Sequence, residues 1–116
     1  MGTFVIFVLL MRIIAISTLR NYWYDNPTSE QPLKAWIQEC KLSSWTNSAQ
    51  LKVKYRNASI INSKRVVFNI KGNDFRLIVD IEYRLKIVFV VWIGSHVSYD
   101  KIDVETISYD HKTNKK

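Results

Sequence analysis

The sequence predicts an α+β fold in which two to three helices pack on one face of an antiparallel β-sheet. Two observations indicate this class. Apolar residues recur at helical spacing between Leu33 and Cys40, whereas from Phe75 to Ile81 every second residue is apolar. The helical pattern precedes the strand pattern along the chain, and such segregated runs are typical of α+β domains.

The first elements follow from local signals. Arg12 to Ile16 is a short β-prone run that ends at Ser17, a residue type favoured at helix N-caps. A first helix is predicted from Leu19 to Tyr24. It should end there because the residue before Pro27 is pushed out of the helical conformation.

A second helix is predicted to begin near Pro32, where the missing N–H of proline does no harm. Asn47 or Ser48 can cap a third, short helix that runs to Tyr55. One stripe of the second helix is predicted to face the core, and its members are Leu33, Trp36, Ile37 and Cys40.

Three strands follow. Arg65 to Ile70 and Phe75 to Tyr83 flank the turn Lys71 to Asp74, whose glycine and asparagine tolerate positive φ. After a second turn, Lys86 to Ile93 is the third strand. Two adjacent hairpins predict an antiparallel meander.

The length of 116 residues predicts a single domain. We expect residues 1–10 to be an apolar extension outside the fold, residues 11–108 to form the domain, and residues 109–116 to be a polar tail. The apolar run Phe4 to Leu19 contains Arg12 and is shorter than the ~20 residues that a membrane helix needs. No stable membrane association is therefore expected, and a membrane-anchored protein remains an alternative.

Charge points to a polyanionic partner. Seventeen Lys and Arg against ten Asp and Glu leave a net charge of +7, and no acidic residue occurs between Cys40 and Asn73. A basic surface that only contacts solvent is the alternative. The candidate RNA-binding residues are Lys52, Lys54, Arg56, Lys64, Arg65 and Lys71.

Neither a disulfide nor a metal site is indicated. Cys40 is the only cysteine, which excludes an intrachain disulfide and fits a reducing cytoplasm. His96 and His111 have no cysteine or close carboxylate set to complete a metal site. We expect no metal and no cofactor.

The candidate catalytic residues are Arg76, His96, Tyr99 and Lys101. Alternation places Arg76 on the sheet face opposite the apolar row, a face expected to be uncovered, beside the strand that delivers the other three. Metal-free RNA cleavage needs a general base, a general acid and cations on the phosphate, and these residue types supply them. The alternatives are a structural Arg76–Asp80 ion pair, a capping histidine and the start of a terminal helix.

Two motifs resemble the HigB family of RelE-like toxins. Val67-Phe-Asn-Ile-Lys-Gly-Asn-Asp-Phe-Arg-Leu77 is similar to the family's Phe-Asn-Ile-x-Gly-Asn-x-x-Arg-Leu, and Gly94-Ser-His-Val-Ser-Tyr-Asp-Lys101 is similar to its Thr-His-x-x-Tyr-Asp-Lys. Met11-Arg-Ile-Ile resembles the family's opening, and Pro32-Leu-Lys-Ala-Trp36 its helical half. The resemblance covers Met11 to Ile102.

This resemblance implies a metal-independent endoribonuclease that cleaves mRNA on the translating ribosome and is inhibited by a helix-turn-helix, HigA-like antitoxin. Arg76 would stabilise phosphate charge, and His96, Tyr99 and Lys101 would form the polar end of the site. Which of these three is the general base stays open. Ser95 stands where threonine is usual. The alternative function is a noncatalytic, basic RNA- or ribosome-binding protein.

Overall fold

A computed structural model describes residues 9–109 of the chain. Most of its helices precede most of its strands along the chain. In chain order they are β1 (Arg12–Ile14), α1 (Ile16–Asp25), a 3₁₀ turn (Pro27–Ser29), α2 (Glu30–Lys41), α3 (Ser48–Lys54), β2 (Ser59–Ile60), β3 (Arg65–Ile70), β4 (Phe75–Glu82), β5 (Ile87–Ser95) and α4 (His96–Tyr99).

The five strands form one open sheet in the order β1-β5-β4-β3-β2. The predicted meander is confirmed, since β3, β4 and β5 pair antiparallel. Two edge strands complete the sheet. β1 pairs parallel with β5, with Ile13 opposite Val88, and β2 pairs antiparallel with β3. The α+β class is therefore confirmed, as is a strand within the β-prone run Arg12 to Ile16, whereas the parallel pairing of β1 and the strand β2 were not predicted.

The helix starts correct one detail of the sequence interpretation and confirm another. Ser17 is not the N-cap of α1, because the helix already begins at Ile16, after Ala15 in the left-handed conformation with φ 73°. Ala15 is thus the single residue between β1 and α1. The predicted cap of α3 is confirmed, since the Asn47 side chain accepts from the backbone N–H of Gln50 at 3.0 Å.

The turn between β3 and β4 also differs in one residue. Lys71 and Gly72 adopt positive φ, at 54° and 63°, whereas Asn73 does not. Gly72 takes this conformation at no steric cost, because it has no Cβ. The turn connects Ile70 to Phe75, which are register partners, and this pairing sets the register of the whole β3–β4 hairpin.

The core lies between the helices and one face of the sheet. The alternating row of β4 is confirmed, with Leu77 and Val79 fully buried. The predicted stripe of α2 is buried against it, and burial raises the pKa of the Cys40 thiol to about 12. Cys40 is therefore a packing residue rather than a nucleophile.

The opposite face of the sheet is not uncovered, which corrects the sequence prediction. Val67, Ile78 and Val91 form a second buried cluster on that face. The chain after β5 covers it, and the partly buried side chains that pack there from this chain segment are Tyr99, Ile102, Val104 and Ile107. We call residues 99–107 the C-terminal strap. Burial of these apolar groups explains why the strap crosses the sheet instead of leaving it.

The boundaries proposed for the domain remain predictions. Residues 1–8 and 110–116 lie outside the described residues, and so do most of the proposed extension and tail. Met11 is buried in the core, and its backbone N–H donates to the Ser43 carbonyl at 2.8 Å. Between residues 9 and 109, the helices are too short or too polar to cross a membrane.

Candidate functional site

Arg76 and Tyr99 meet on the sheet face that carries the C-terminal strap. The guanidinium carbon of Arg76 lies 5.8 Å from the centroid of the Tyr99 ring, within cation–π range. The other neighbour of that ring is Trp92, at 6.2 Å between centroids and 50° between planes. Three side chains from β4, β5 and α4 thus form one contiguous group, which we call the Arg76 cluster.

Arg76 is held at one nitrogen and open at the others. Its Nη1 donates to the carbonyls of Asn73 at 2.9 Å and Phe75 at 3.3 Å. Within residues 9–109, its Nε and Nη2 have no hydrogen-bond partner and its charge has no acidic partner. A guanidinium with two open N–H groups can bind a phosphate in a bidentate manner.

The alternative Arg76–Asp80 ion pair is wrong. Asp80 instead accepts two hydrogen bonds from Arg65, both at 2.8 Å. Arg65 stands directly opposite Asp80 on the neighbouring strand, whereas Arg76 is four residues away along the same strand. Asp80 therefore leaves the charge of Arg76 uncompensated.

His96 begins α4, immediately after β5. Its backbone N–H donates to the Asp74 carbonyl at 3.1 Å, which ties α4 to the turn that precedes Arg76. Ser95 caps this helix by accepting from the Ser98 N–H at 3.1 Å. The side chains of His96 and Lys101 are exposed on either side of half-buried Tyr99. The motif Gly94 to Lys101 thus forms a short helix that begins with His96 and contains Tyr99 of the Arg76 cluster, and Lys101 follows it.

Trp92 and Gly94 are members of this site that sequence reasoning missed. Gly94 is the register partner of Arg76, and Trp92 lies two residues before it on the same face of β5. The Trp92 indole lies against the backbone of Gly94, where a Cβ would come 2.5 Å from Trp92 Cζ2. A glycine inside a strand often marks such a close approach, and that signal was available in the sequence.

We expect Gly94→Ala to destabilise the fold by about 1–3 kcal/mol, because the added methyl overlaps the rigid indole and forces it off its position. Urea unfolding measures this change. The Trp92→Leu background provides the test, since removal of the indole should make Gly94→Ala nearly neutral. Equal destabilisation in both backgrounds would contradict the proposed overlap. Gly72→Ala is a control for loss of a glycine, because a Cβ there meets nothing within 4 Å and only the positive φ opposes it.

The predicted basic residues divide into two groups. Lys54, Arg56, Lys64 and Lys71 have exposed side chains. Lys64 and Lys71 have weak surface pairs, at 3.6 Å from Glu82 and Asp74 respectively. The ammonium of Lys52 is instead bound by the carbonyls of Arg56 at 2.7 Å and Ala58 at 2.8 Å, so it shapes the loop after α3.

Arg65 was predicted to bind RNA, and its position requires a correction. Only 7% of the residue is exposed. Besides its two bonds to Asp80, its Nη1 donates to the carbonyls of Val104 at 3.1 Å, Glu105 at 3.4 Å and Ile107 at 2.5 Å. A buried guanidinium with all of its nitrogens engaged holds the C-terminal strap on the sheet and is not available to a ligand.

A metal-binding group is not found among residues 9–109, where no three His, Cys, Asp or Glu side chains converge. The ionisable groups at the site are two cations, an imidazole and a phenol. These groups can stabilise a phosphate and transfer protons.

Comparison with protein families identifies the family of this chain. The family model described as the RelE-like toxic component of a toxin-antitoxin system matches residues 29–102, which is more than half of the chain. The matched segment extends from the turn before α2 to the strap and contains both the Arg76 cluster and His96. No curated protein matches the chain.

Proposed function

Since this chain belongs to the HigB family of RelE-like toxins, the toxic components of toxin-antitoxin systems, we propose that it is an endoribonuclease that cleaves mRNA. The observation that carries the proposal is the Arg76 cluster beside His96. Arg76 has two open N–H groups and no acidic partner among residues 9–109, and an imidazole lies on the adjoining helical turn. This combination fits a phosphodiester better than an uncharged substrate.

The reaction follows from these groups. The 2′-hydroxyl of a ribose attacks the adjacent phosphorus, and the bond from phosphorus to the 5′-oxygen of the next nucleotide breaks. A general base accepts the 2′-proton, and a general acid gives a proton to the leaving 5′-oxygen. The products are a 2′,3′-cyclic phosphate and a 5′-hydroxyl end, so no water, metal or redox partner is consumed.

We assign the roles by chemistry and position. Arg76 binds the non-bridging phosphate oxygens, where charge develops in the transition state. His96 transfers a proton, since imidazole titrates near neutrality. Tyr99 holds the guanidinium of Arg76 through its ring, and its hydroxyl and the Lys101 ammonium complete the polar end. The general base is His96, Tyr99 or Lys101.

The ribosome is the proposed place of cleavage. Aligning the 2′-hydroxyl with the scissile phosphate supplies a large part of the rate, and an mRNA bent in a ribosomal site arrives aligned. The exposed cation Lys71 lies in the turn that precedes Arg76, where it can contact ribosomal RNA, whereas Lys64 precedes β3 at the other end of the hairpin. A helix-turn-helix antitoxin is the proposed inhibitor, which acts by covering this basic face.

The test is to induce the full chain briefly and to map transcript ends. We expect new 5′-hydroxyl ends in mRNA within minutes of induction, paired with 2′,3′-cyclic phosphate ends one nucleotide upstream. Cells without induction are the control. A noncatalytic RNA- or ribosome-binding protein would lower translation and bind RNA with a steep salt dependence, yet would produce no new ends. Absence of new ends would thus exclude the nuclease and favour that alternative.

A further inference from the structure

A groove of about 240 Å³ lies between the loop after α3 and the end of β3, where Phe68 and Asn69 line it. It is separate from the Arg76 cluster but adjoins it, because Asn69 lines the groove and is the register partner of Arg76. Pockets for drug-sized ligands measure roughly 300–1,000 Å³. The groove therefore suits a smaller group, such as one nucleobase.

The walls of the groove are positive and unneutralised. Lys54 and Arg56 line it, and neither side chain has an acidic partner among residues 9–109. The loop that carries Arg56 is fixed by the two hydrogen bonds from the Lys52 ammonium, so the cations stand on a rigid support. A phosphate at the groove mouth would meet these charges without displacing another ion.

The half-buried ring of Tyr55 lines the inner wall of the groove, and Phe68, which is only 1% exposed, supports that ring from the core. The rings of Tyr55 and Phe68 meet edge to face, with 4.9 Å between centroids. The Tyr55 hydroxyl donates to the Glu39 carboxylate at 2.5 Å, which fixes the ring and contributes to raising the pKa of Tyr55, after the larger effect of burial. Bases of single-stranded RNA commonly bind against an accessible aromatic ring, and in this groove Tyr55 offers one.

The open side of β3 offers polar recognition at one residue. The carbonyl of Arg65 accepts from Ile61 on the β2 side, and hydrogen-bonding direction alternates along a strand. Asn69, four residues on, therefore directs its N–H and C=O to the same side. β2 pairs only with Val66 and Val67, so among residues 9–109 no strand covers Asn69.

We infer that this groove, which we call the Asn69 groove, binds one nucleotide of single-stranded RNA next to the phosphate held by Arg76. The inference rests on the proposed function and adds a substrate subsite to it. The uncovered edge spans a single residue before the turn, which is too short to add a peptide strand but sufficient for the donor and acceptor of a base edge. The two cations favour a nucleotide over an uncharged ligand.

Binding of a non-cleavable, 2′-O-methylated single-stranded RNA to the full chain tests the charge contribution. We expect Arg56→Gln to weaken binding about tenfold and to lower the slope of log K against log salt by about 0.7. Arg84→Gln is the matched control, because Arg84 lies in the β4–β5 turn at the opposite end of the sheet. Equal binding by the two variants would overturn the inference.

Abasic substitution tests whether a base is bound. Oligonucleotides that each lack one base should reveal a single position at which loss of the base weakens binding at least about fivefold. Asn57→Trp, which fills the mouth of the groove with a large ring, should remove that position effect while Arg84→Gln keeps it. If Arg56→Gln weakens binding but no abasic position matters, the groove binds only phosphate and the nucleotide subsite is wrong.

These outcomes are independent of cleavage, because the RNA probe cannot be cut. If induced cells show no new RNA ends but the groove variants still weaken binding, the nuclease proposal fails and the subsite stands. If new ends appear and the groove variants bind like Arg84→Gln, the subsite alone fails.

Discussion

We expect Arg65→Met to lower the free energy of unfolding by about 3–5 kcal/mol, the range found when one partner of a buried ion pair is removed. The substitution keeps an unbranched side chain but removes all five donors. Asp80 then loses its partner, and the carbonyls of Val104, Glu105 and Ile107 lose theirs. Because the Asp80 side chain is 34% exposed, water compensates it in part, and the lower end of the range is expected.

Urea unfolding of Arg65→Met and Lys64→Met makes a matched comparison. Lys64 and Arg65 are adjacent, and each contacts a carboxylate of β4. The Lys64–Glu82 pair, however, is exposed and 3.6 Å long. Such surface pairs contribute about 0–1 kcal/mol. If Arg65→Met is as mild as Lys64→Met, the guanidinium does not hold the strap.

Hydrogen exchange distinguishes loss of the strap from general destabilisation. In Arg65→Met the amide of Ile107, which bonds to the Asp103 carbonyl at 2.9 Å, should exchange faster than amides of the β3–β4 hairpin. A second effect follows, because the strap begins at Tyr99 and covers Ile78 and Val91. Release of the strap should therefore also loosen the Arg76 cluster and reduce RNA cleavage. Uniform acceleration at all amides would contradict a local role.

The Arg65–Asp80 pair could have been predicted from the register of the hairpin, although not from the spacing of residues along one strand. Four residues along a strand span about 13 Å, too far for Arg76 to reach Asp80 directly. Partners on adjacent strands are about 4.5–5.5 Å apart. The four-residue turn after Ile70 sets Ile70 opposite Phe75, and counting outward from that pair places Arg65 opposite Asp80. The correct partner followed from the turn that had been identified.

Other features depend on long-range packing and could not be predicted. The parallel pairing of β1 with β5 joins residues more than seventy positions apart, and nothing local to Arg12–Ile14 specifies that partner. The strap was missed for a different reason. Its apolar residues Ile102, Val104 and Ile107 are separated by polar ones, so the segment resembles a solvated end until the second buried face is known. The helical stripe and the β4 alternation were predictable because burial on one face imposes a local period.

The site residues remain a prediction, but one part of their arrangement could be predicted from the sequence. Arg76 and Tyr99 do lie together, because alternation along β4 and the short helix after β5 bring them to one face. Trp92 was read as part of an apolar strand, and only the close approach at Gly94 reveals that its indole supports Tyr99. Sequence reasoning finds residues whose chemistry is evident, and it misses those that act by supporting them.

The second large effect is expected for Arg76→Ala and His96→Ala, each of which should abolish growth arrest by the induced full chain. Loss of a donor that stabilises transition-state charge lowers rates about 10²–10³-fold. Loss of a general acid or base lowers them about 10²–10⁴-fold. If the proposed cleavage is slowed by such factors, growth arrest should be lost. Colony formation after induction measures the loss of growth arrest, and single-turnover cleavage of RNA measures the loss of rate.

Control variants separate chemistry from folding. Arg84→Ala removes an exposed arginine far from the site, and Val97→Ala removes an exposed side chain from α4 itself. Both should remain toxic. Arg76→Lys keeps the charge but loses the planar fork, so it should recover only part of the rate. Variants that lose toxicity should unfold at about the same urea concentration as the unchanged protein, which shows that they are folded.

The comparison of the two alanine variants also assigns the proton-transfer role. Replacing the leaving 5′-oxygen by sulfur gives a leaving group that departs without protonation. If His96 is the general acid, His96→Ala should cut this substrate nearly as fast as the unchanged protein does, whereas Arg76→Ala should remain slow because it acts on the phosphate oxygens. No recovery in His96→Ala would assign His96 to the 2′-hydroxyl instead. Continued growth arrest by both alanine variants would place the chemistry outside the Arg76 cluster altogether.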